Sequence, residues 1–220
     1  MMHLEKLIIV CGHYGSGKTN FSLNLAGFLA GRGEPVTVVD LDIVNPYFRA
    51  HDFKDQMSRL NIRNVSPRFH GTTLDIPGIV PDMHAAVNSP GYVIFDVGGD
   101  DAGATALGRF SQQIRQRPYH MLYVVNRNRG LIRDPGEALT LMREIESASR
   151  LKCTHIVGNT HLNDLTDSET VLGSLEYNKA VASAAGLPVM CVTAPTGLIP
   201  KLQGKVENLF PVERLVLPPF

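Results

Sequence analysis

The chain has 220 residues, 44% of them hydrophobic, and its 21 basic residues are balanced by 21 acidic ones. This length suits one domain over 1–220 with a sizeable core. The charge balance argues against a general nucleic-acid binder, and no apolar run approaches the ~18 residues that membrane insertion needs. The N-terminus reads as entering a strand directly, and no signal peptide is expected there. Cys11, Cys153 and Cys191 form no C-x-x-C pair and lie in or just before apolar runs. Buried, reduced thiols in a cytoplasmic protein are expected, rather than a metal site.

In chain order, Leu7–Cys11 reads as a buried strand. Gly12-His13-Tyr14-Gly15-Ser16-Gly17-Lys18-Thr19 follows, and then a helix with Phe21, Leu25, Phe28 and Leu29 on one face. A second strand spans Val36–Val39. The stretch 47–90 is less regular, with a mobile helix, a short strand near Ile62–Val65 and a helix near Asp82–Val87. Tyr92–Val97 is a further strand, and Pro118 closes the helical pattern of Leu107, Phe110 and Ile114. Strands at Met121–Val125, His155–Val157 and Val189–Val192 complete the set. Asp134-Pro135-Gly136-Glu137 opens a helix with an N-cap, a proline at N1 and a glutamate at N3. Thr166 and Glu169 read as a second capping box, and Gly186 with Pro188 stops the helix through Ala180–Ala185. The alternation predicts a three-layer α/β fold, a mostly parallel sheet with helices on both faces.

The segment Gly12–Thr19 fits G-x-x-x-x-G-K-[ST] between a strand and a helix, the pattern of a phosphate-binding P-loop. Glycines let backbone N–H groups curl toward an anion, and the helix adds its unpaired N–H groups and positive dipole end. Gly12, Gly15, Ser16, Gly17, Lys18, Thr19 and Asn20 are the expected nucleotide-binding residues. Lys18 can reach the β- and γ-phosphates, and the Thr19 hydroxyl can ligate Mg2+.

Ligands of open α/β sheets sit at the carboxyl ends of the strands. There the second strand leads into Asp40-Leu41-Asp42 and the third into Asp96-Val97-Gly98-Gly99-Asp100-Asp101. Asp96 and Asp40 are candidates for the Mg2+ shell, which takes oxygen ligands. Asp42 is placed to orient or deprotonate a nucleophile beside the γ-phosphate. Gly98 and Gly99 would let a loop close on that phosphate and move when it leaves.

The P-loop at the head of the chain, the D-x-D after the second strand and the Asp-glycine motif after the third resemble the CobQ/CobB/MinD/ParA group of P-loop proteins. The match is carried by Gly15, Gly17, Lys18, Thr19, Asp40, Asp42 and Asp96. The resemblance implies an ATP-binding fold over nearly the whole chain, with Asn159 and the loop at Ala194-Pro195-Thr196 flanking adenine. MinD and ParA proteins carry a second P-loop lysine that reaches the partner's nucleotide in a dimer. Here His13 stands in its place and Tyr14 replaces a glycine. A histidine is shorter and mostly neutral at pH 7, so it cannot supply that fixed charge. A homodimer stays open, but an ATP-sandwich mechanism loses its central cation.

A guanine site of the N-K-x-D type needs an Asp that accepts two hydrogen bonds. In Asn159-Thr160-His161-Leu162 that position is Leu162, which accepts none, and this points to ATP. Arg127, Arg129 and Arg133 follow the fourth long strand and could bind a carboxylate, a phosphate or an acidic partner, or act as an arginine finger in cis. The same alternatives apply to Arg49.

These features predict a Mg2+-dependent ATP-binding protein, an ATPase that switches a protein partner, with Lys18 and Asp42 as the catalytic pair. Two alternatives remain. One is an enzyme that spends ATP to phosphorylate the carboxylate of a small-molecule acceptor. The other is a module that binds ATP without hydrolysing it.

Overall fold

A computed structural model describes residues 3–41, 57–65, 81–99, 101–130 and 133–216. In chain order its strands are β1 (Leu7–Gly12), β2 (Val36–Leu41), β3 (Ile62–Val65), β4 (Tyr92–Val97), β5 (Tyr119–Val125), β6 (His155–Gly158), β7 (Val189–Pro195) and β8 (Leu209–Val212). They form one sheet in the order β3-β2-β4-β1-β5-β6-β7-β8, with every neighbouring pair parallel. The α/β expectation therefore holds. The helices are α1 (Lys18–Ala30), α2 (Pro81–Ala86), α3 (Asp101–Gly108), α4 (Ser111–Ile114), α5 (Pro135–Ser149), α6 (Ser168–Leu172), α7 (Leu175–Ala185) and α8 (Ile199–Leu202).

The sheet is covered on both faces, and this explains its sequence. Along β1, Leu7, Ile9 and Cys11 join one apolar layer while Ile8 and Val10 join the other. Alternate side chains of a strand point to opposite faces, so a doubly covered strand reads as a continuous apolar run. The first layer takes Leu107 and Phe110 beside α3 and α4, Met142 and Ile145 from α5, and Val181 from α7. The second takes Phe21, Leu25 and Leu29 from α1 together with Phe210 of β8. Phe28, expected on the same face of α1, is half exposed at the rim and meets the Phe210 ring edge-on at 5.6 Å.

Asp134 caps α5 as expected. Its carboxylate accepts from Gly136 N at 2.7 Å, and Glu137 reaches back to Asp134 N at 3.3 Å. Gly186 ends α7 in the left-handed conformation, φ 67°. The expected capping box of Thr166 and Glu169 gives way to a single side-chain cap one residue later. Asp167, not Thr166, caps α6 and accepts from Thr170 N at 2.8 Å. The Thr166 hydroxyl is engaged in the preceding turn, donating to Asn163 O and accepting from Leu162 N. β8 has no counterpart in the sequence reading. It holds four residues, Leu-Phe-Pro-Val, and a proline is tolerated there because the strand lies at the sheet edge.

The chain leaves β1 for β2 on one side of the sheet and later places β5 on the other. The carboxyl end of β1 thus opens at a topological switch point, where open α/β sheets bind ligands. Of the region 47–90, where a mobile helix is expected, 47–56 and 66–80 lie outside the described residues. So do Asp42, Arg49 and Asp100.

Candidate nucleotide-binding site

The loop from Gly12 to Gly17 joins β1 to α1 at that switch point. Ser16 N donates to His13 O at 3.1 Å and closes the turn. Gly17 sits at φ 87°, and a β-carbon there would stand 2.2 Å from Asn159 Nδ2. Both facts restrict the position to glycine. Having no side chain, Gly17 caps α1 without occupying its first-turn N–H groups, which leaves them for an anion. Lys18 is only 6% exposed, and its ammonium donates to His13 O at 3.1 Å, so the charge is folded over the loop. The buried Ser16 hydroxyl has no hydrogen-bond partner among the described residues. An orphaned buried polar atom inside an N–H-lined loop fits a phosphate ligand.

The carboxylates come from neighbouring strands. Asp40 of β2 and Asp96 of β4 are in register. Asp96 is buried and accepts from Ser22 Oγ at 3.1 Å. Ser22 lies three residues after Thr19 in α1, on the same helix face, so Asp96 and the Thr19 hydroxyl address one region. This all-oxygen donor set fits Mg2+. Among the described residues no three His, Cys, Asp or Glu side chains converge, so phosphate oxygens and water would complete the shell. The loop after β4 lies against the P-loop. A β-carbon on Gly99 would stand 2.5 Å from Tyr14 N and 2.8 Å from Lys18 Nζ.

Beside the P-loop lies a cavity of about 450 Å3, lined among others by Lys18, Thr19, Asn159, Asp164, Pro195 and Arg214. Its volume is in the range of small-molecule sites. Asn159 is buried and its amide is engaged at both ends: Nδ2 donates to Ser16 O at 2.7 Å and Oδ1 accepts from Thr193 Oγ1. It braces the P-loop as well as lining the cavity. Fully buried Asn126 fastens the neighbouring loop, its Oδ1 accepting from Asn128 N at 3.0 Å and His161 N at 3.4 Å. Burial, followed by the charge of Arg129, holds His161 below the usual imidazole range.

Several of these features were not legible in the sequence. Leu162 is exposed, whereas Asp164, two residues on, lines the cavity and pairs with Arg214 at 2.6 Å. The Asn163-Asp164 pair close behind Asn159 was the available signal. Asn20 lines the cavity, yet its amide fastens a distant segment. Its Oδ1 accepts from Leu215 N at 2.8 Å and Val216 N at 3.2 Å, and its Nδ2 donates to Glu213 O at 3.0 Å. Asn24 adds two bonds to Glu213, at 2.9 and 2.8 Å. Of the arginines after β5, Arg127 is turned away and donates to Gly173 O, while Arg129 Nε donates to Gly15 O at 2.7 Å.

The cysteines are free and buried. Cys11 and Cys153 place their sulfurs 4.0 Å apart, and that contact together with burial raises the Cys153 thiol well above its usual value. Burial pushes Cys191 up to about 12.

A parallel sheet with a P-loop at its switch point, a buried lysine over the loop and paired aspartates beyond it define a P-loop nucleotide-binding protein. Residues 7–142 match the model of the CobQ/CobB/MinD/ParA nucleotide binding domain, and the chain belongs to that family. Similar solved structures include the 54 kDa signal recognition particle protein of Aeropyrum pernix K1 in complex with GDP (19% identity, TM-score 0.58, 86% of this chain and 41% of that one). The cell division protein FtsY of Thermotoga maritima is comparable (19%, 0.53, 88% and 64%), as is chloroplast FtsY of Physcomitrella patens (17%, 0.57, 87% and 60%). At these identities the likeness is one of fold. The chain spans between 41% and 64% of the length of these relatives. No curated protein matches it. Among the described residues, no helix is long and apolar enough to cross a membrane.

Proposed function

We propose that this domain binds Mg2+-ATP and hydrolyses it, and that the bound nucleotide switches a protein partner. The observation that carries this reading is the contact of the Gly98-Gly99 loop with the P-loop at Tyr14 and Lys18. A segment resting on both the loop and its lysine is coupled to whatever occupies the phosphate position. Lys18 and the P-loop N–H groups would hold and neutralise the phosphates. Thr19, Asp40 and Asp96 would hold Mg2+, which supplies charge neutralisation and phosphate orientation when bound. Asp42 would orient the attacking water. Ligand binding would draw chiefly on preorganised charge.

ATP is preferred to GTP because the position of the guanine-reading carboxylate is Leu162. One observation favours guanine instead: Asp164 lines the cavity. Its Oδ1 is already engaged by Arg214 at 2.6 Å, so it is not a free two-oxygen acceptor, and we keep the adenine reading.

Hydrogen exchange of the Gly98–Gly99 segment with Mg2+-ATP and Mg2+-ADP tests the switch. Slower exchange with ATP than with ADP is expected; identical exchange would contradict it. Stimulation of hydrolysis by a protein fraction, rather than by added carboxylic acids, separates a switch from a carboxylate kinase.

A further inference from the structure

The geometry points to Arg129 as the cation that serves the nucleotide's phosphates from within one chain, in the role that His13 cannot fill. This inference rests on the proposed nucleotide site. Arg129 Nε donates to Gly15 O at 2.7 Å. Its guanidinium lies so close over the loop that a β-carbon on Gly15 would stand 2.9 Å from Cζ. It lines the same cavity as Lys18 and Thr19. No carboxylate among the described residues forms a salt bridge with it. One donor position anchors the side chain to the loop, and the terminal N–H groups are left for another acceptor. His13 is engaged locally: its Nδ1 donates to Tyr14 O at 2.7 Å.

The loop that carries Arg129 is itself built in. Arg129 N donates to Asn126 O at 3.0 Å, and Asn126 has 0% exposure. Arg127 is committed to Gly173 O on the other side of the loop. The structure thus turns Arg127 away and holds Arg129 on the P-loop.

The chemical consequence concerns where charge develops. In phosphoanhydride hydrolysis the water oxygen bonds to the terminal phosphorus as the bridging P–O bond breaks. The electron pair of that bond stays on the diphosphate, and the proton released from the water passes to the medium. A guanidinium beside the loop stabilises the charge gathering on the bridging and terminal oxygens. Because Arg129 belongs to the same chain as the P-loop, no second copy is needed.

The test compares wild type with Arg129→Gln, which keeps a donor for Gly15 O but loses the charge, and with Arg129→Lys. The affinity of each for Mg2+-ADP alone and with aluminium fluoride, a mimic of the transferring phosphoryl group, is measured by calorimetry. Sedimentation with the same ligands reads the assembly state. The expected result is a gain in affinity on adding fluoride that falls ~100-fold in Arg129→Gln and is partly restored in Arg129→Lys. Mg2+-ADP affinity should change less than ~3-fold, and the wild-type complex should sediment as a monomer. An equal fluoride gain in wild type and Arg129→Gln, or a complex that forms only as a dimer, would overturn the inference while leaving the nucleotide site standing. A wild type that binds no Mg2+-ADP would overturn both.

Discussion

Asn159 and Ser16 lie 143 positions apart, and Asn159 Nδ2 donates to Ser16 O at 2.7 Å. This bond fixes the P-loop to the end of β6 and places a buried amide against Gly17. Asn159→Ala removes the donor and leaves a buried carbonyl without it, at a cost of about 1–3 kcal/mol. We expect a matching fall in the urea midpoint and ~10-fold weaker nucleotide binding. Asn159→Asp keeps the shape but turns a carboxylate toward Ser16 O, and should lose more. Urea unfolding and a fluorescent-nucleotide titration of both variants check this.

Asn20 and Asn24 of α1 pin Glu213, Leu215 and Val216 beside the cavity. Asn20→Ala should free that segment without touching Lys18. Each lost bond is worth ~1 kcal/mol, so exchange of the Leu215 and Val216 amides should quicken by ~10-fold or more. Nucleotide affinity should fall more modestly. Amide exchange by NMR reads the first effect and calorimetry the second.

The Asp164–Arg214 pair sets a base-preference prediction. Arg214→Ala releases the carboxylate toward the cavity, where it can accept from a guanine edge. GTP affinity should rise relative to ATP, and Asp164→Ala should abolish the gain. Competition titrations of the two nucleotides on wild type and both variants decide it.

Among the described residues, three histidines are held below the usual imidazole value of 6.5. For His161 the causes are burial and then Arg129; for His155, burial and then His120; for His120, burial and then His3, partly offset by Glu5. His120 and His155 meet edge to face with ring centroids 4.6 Å apart. In the window below 6.5 the unfolded chain binds protons that the folded rings refuse, so stability falls as pH falls through it. The urea midpoint should drop between pH 7 and pH 5. His120→Gln with His155→Gln should show a smaller drop, and an unchanged drop would contradict the assignment.

The sequence was most legible where local chemistry and tertiary position coincide. Leu7–Cys11 announces a doubly covered strand, and Gly12–Thr19 announces the loop that follows, because both are contiguous. Ile62–Val65 and Tyr92–Val97 coincide with β3 and β4. Contacts between distant residues were not legible. Nothing near Asn20 signals that its amide serves residues almost two hundred positions later, and nothing near Arg129 signals that it lies on Gly15. β8 escaped because four residues with a central proline carry no strand period. Thr166 misled because two adjacent residues, Thr166 and Asp167, could each cap α6, and the preceding turn took the threonine.

The proposed activity is that of a Mg2+-dependent ATPase built on Lys18. Single-turnover cleavage of ATP and GTP by wild type and Lys18→Ala tests it most directly. The expected result is Mg2+-dependent ATP cleavage, slower GTP cleavage, and a loss of at least ~100-fold in Lys18→Ala. Equal cleavage by Lys18→Ala, or GTP cleaved in preference to ATP, would contradict it.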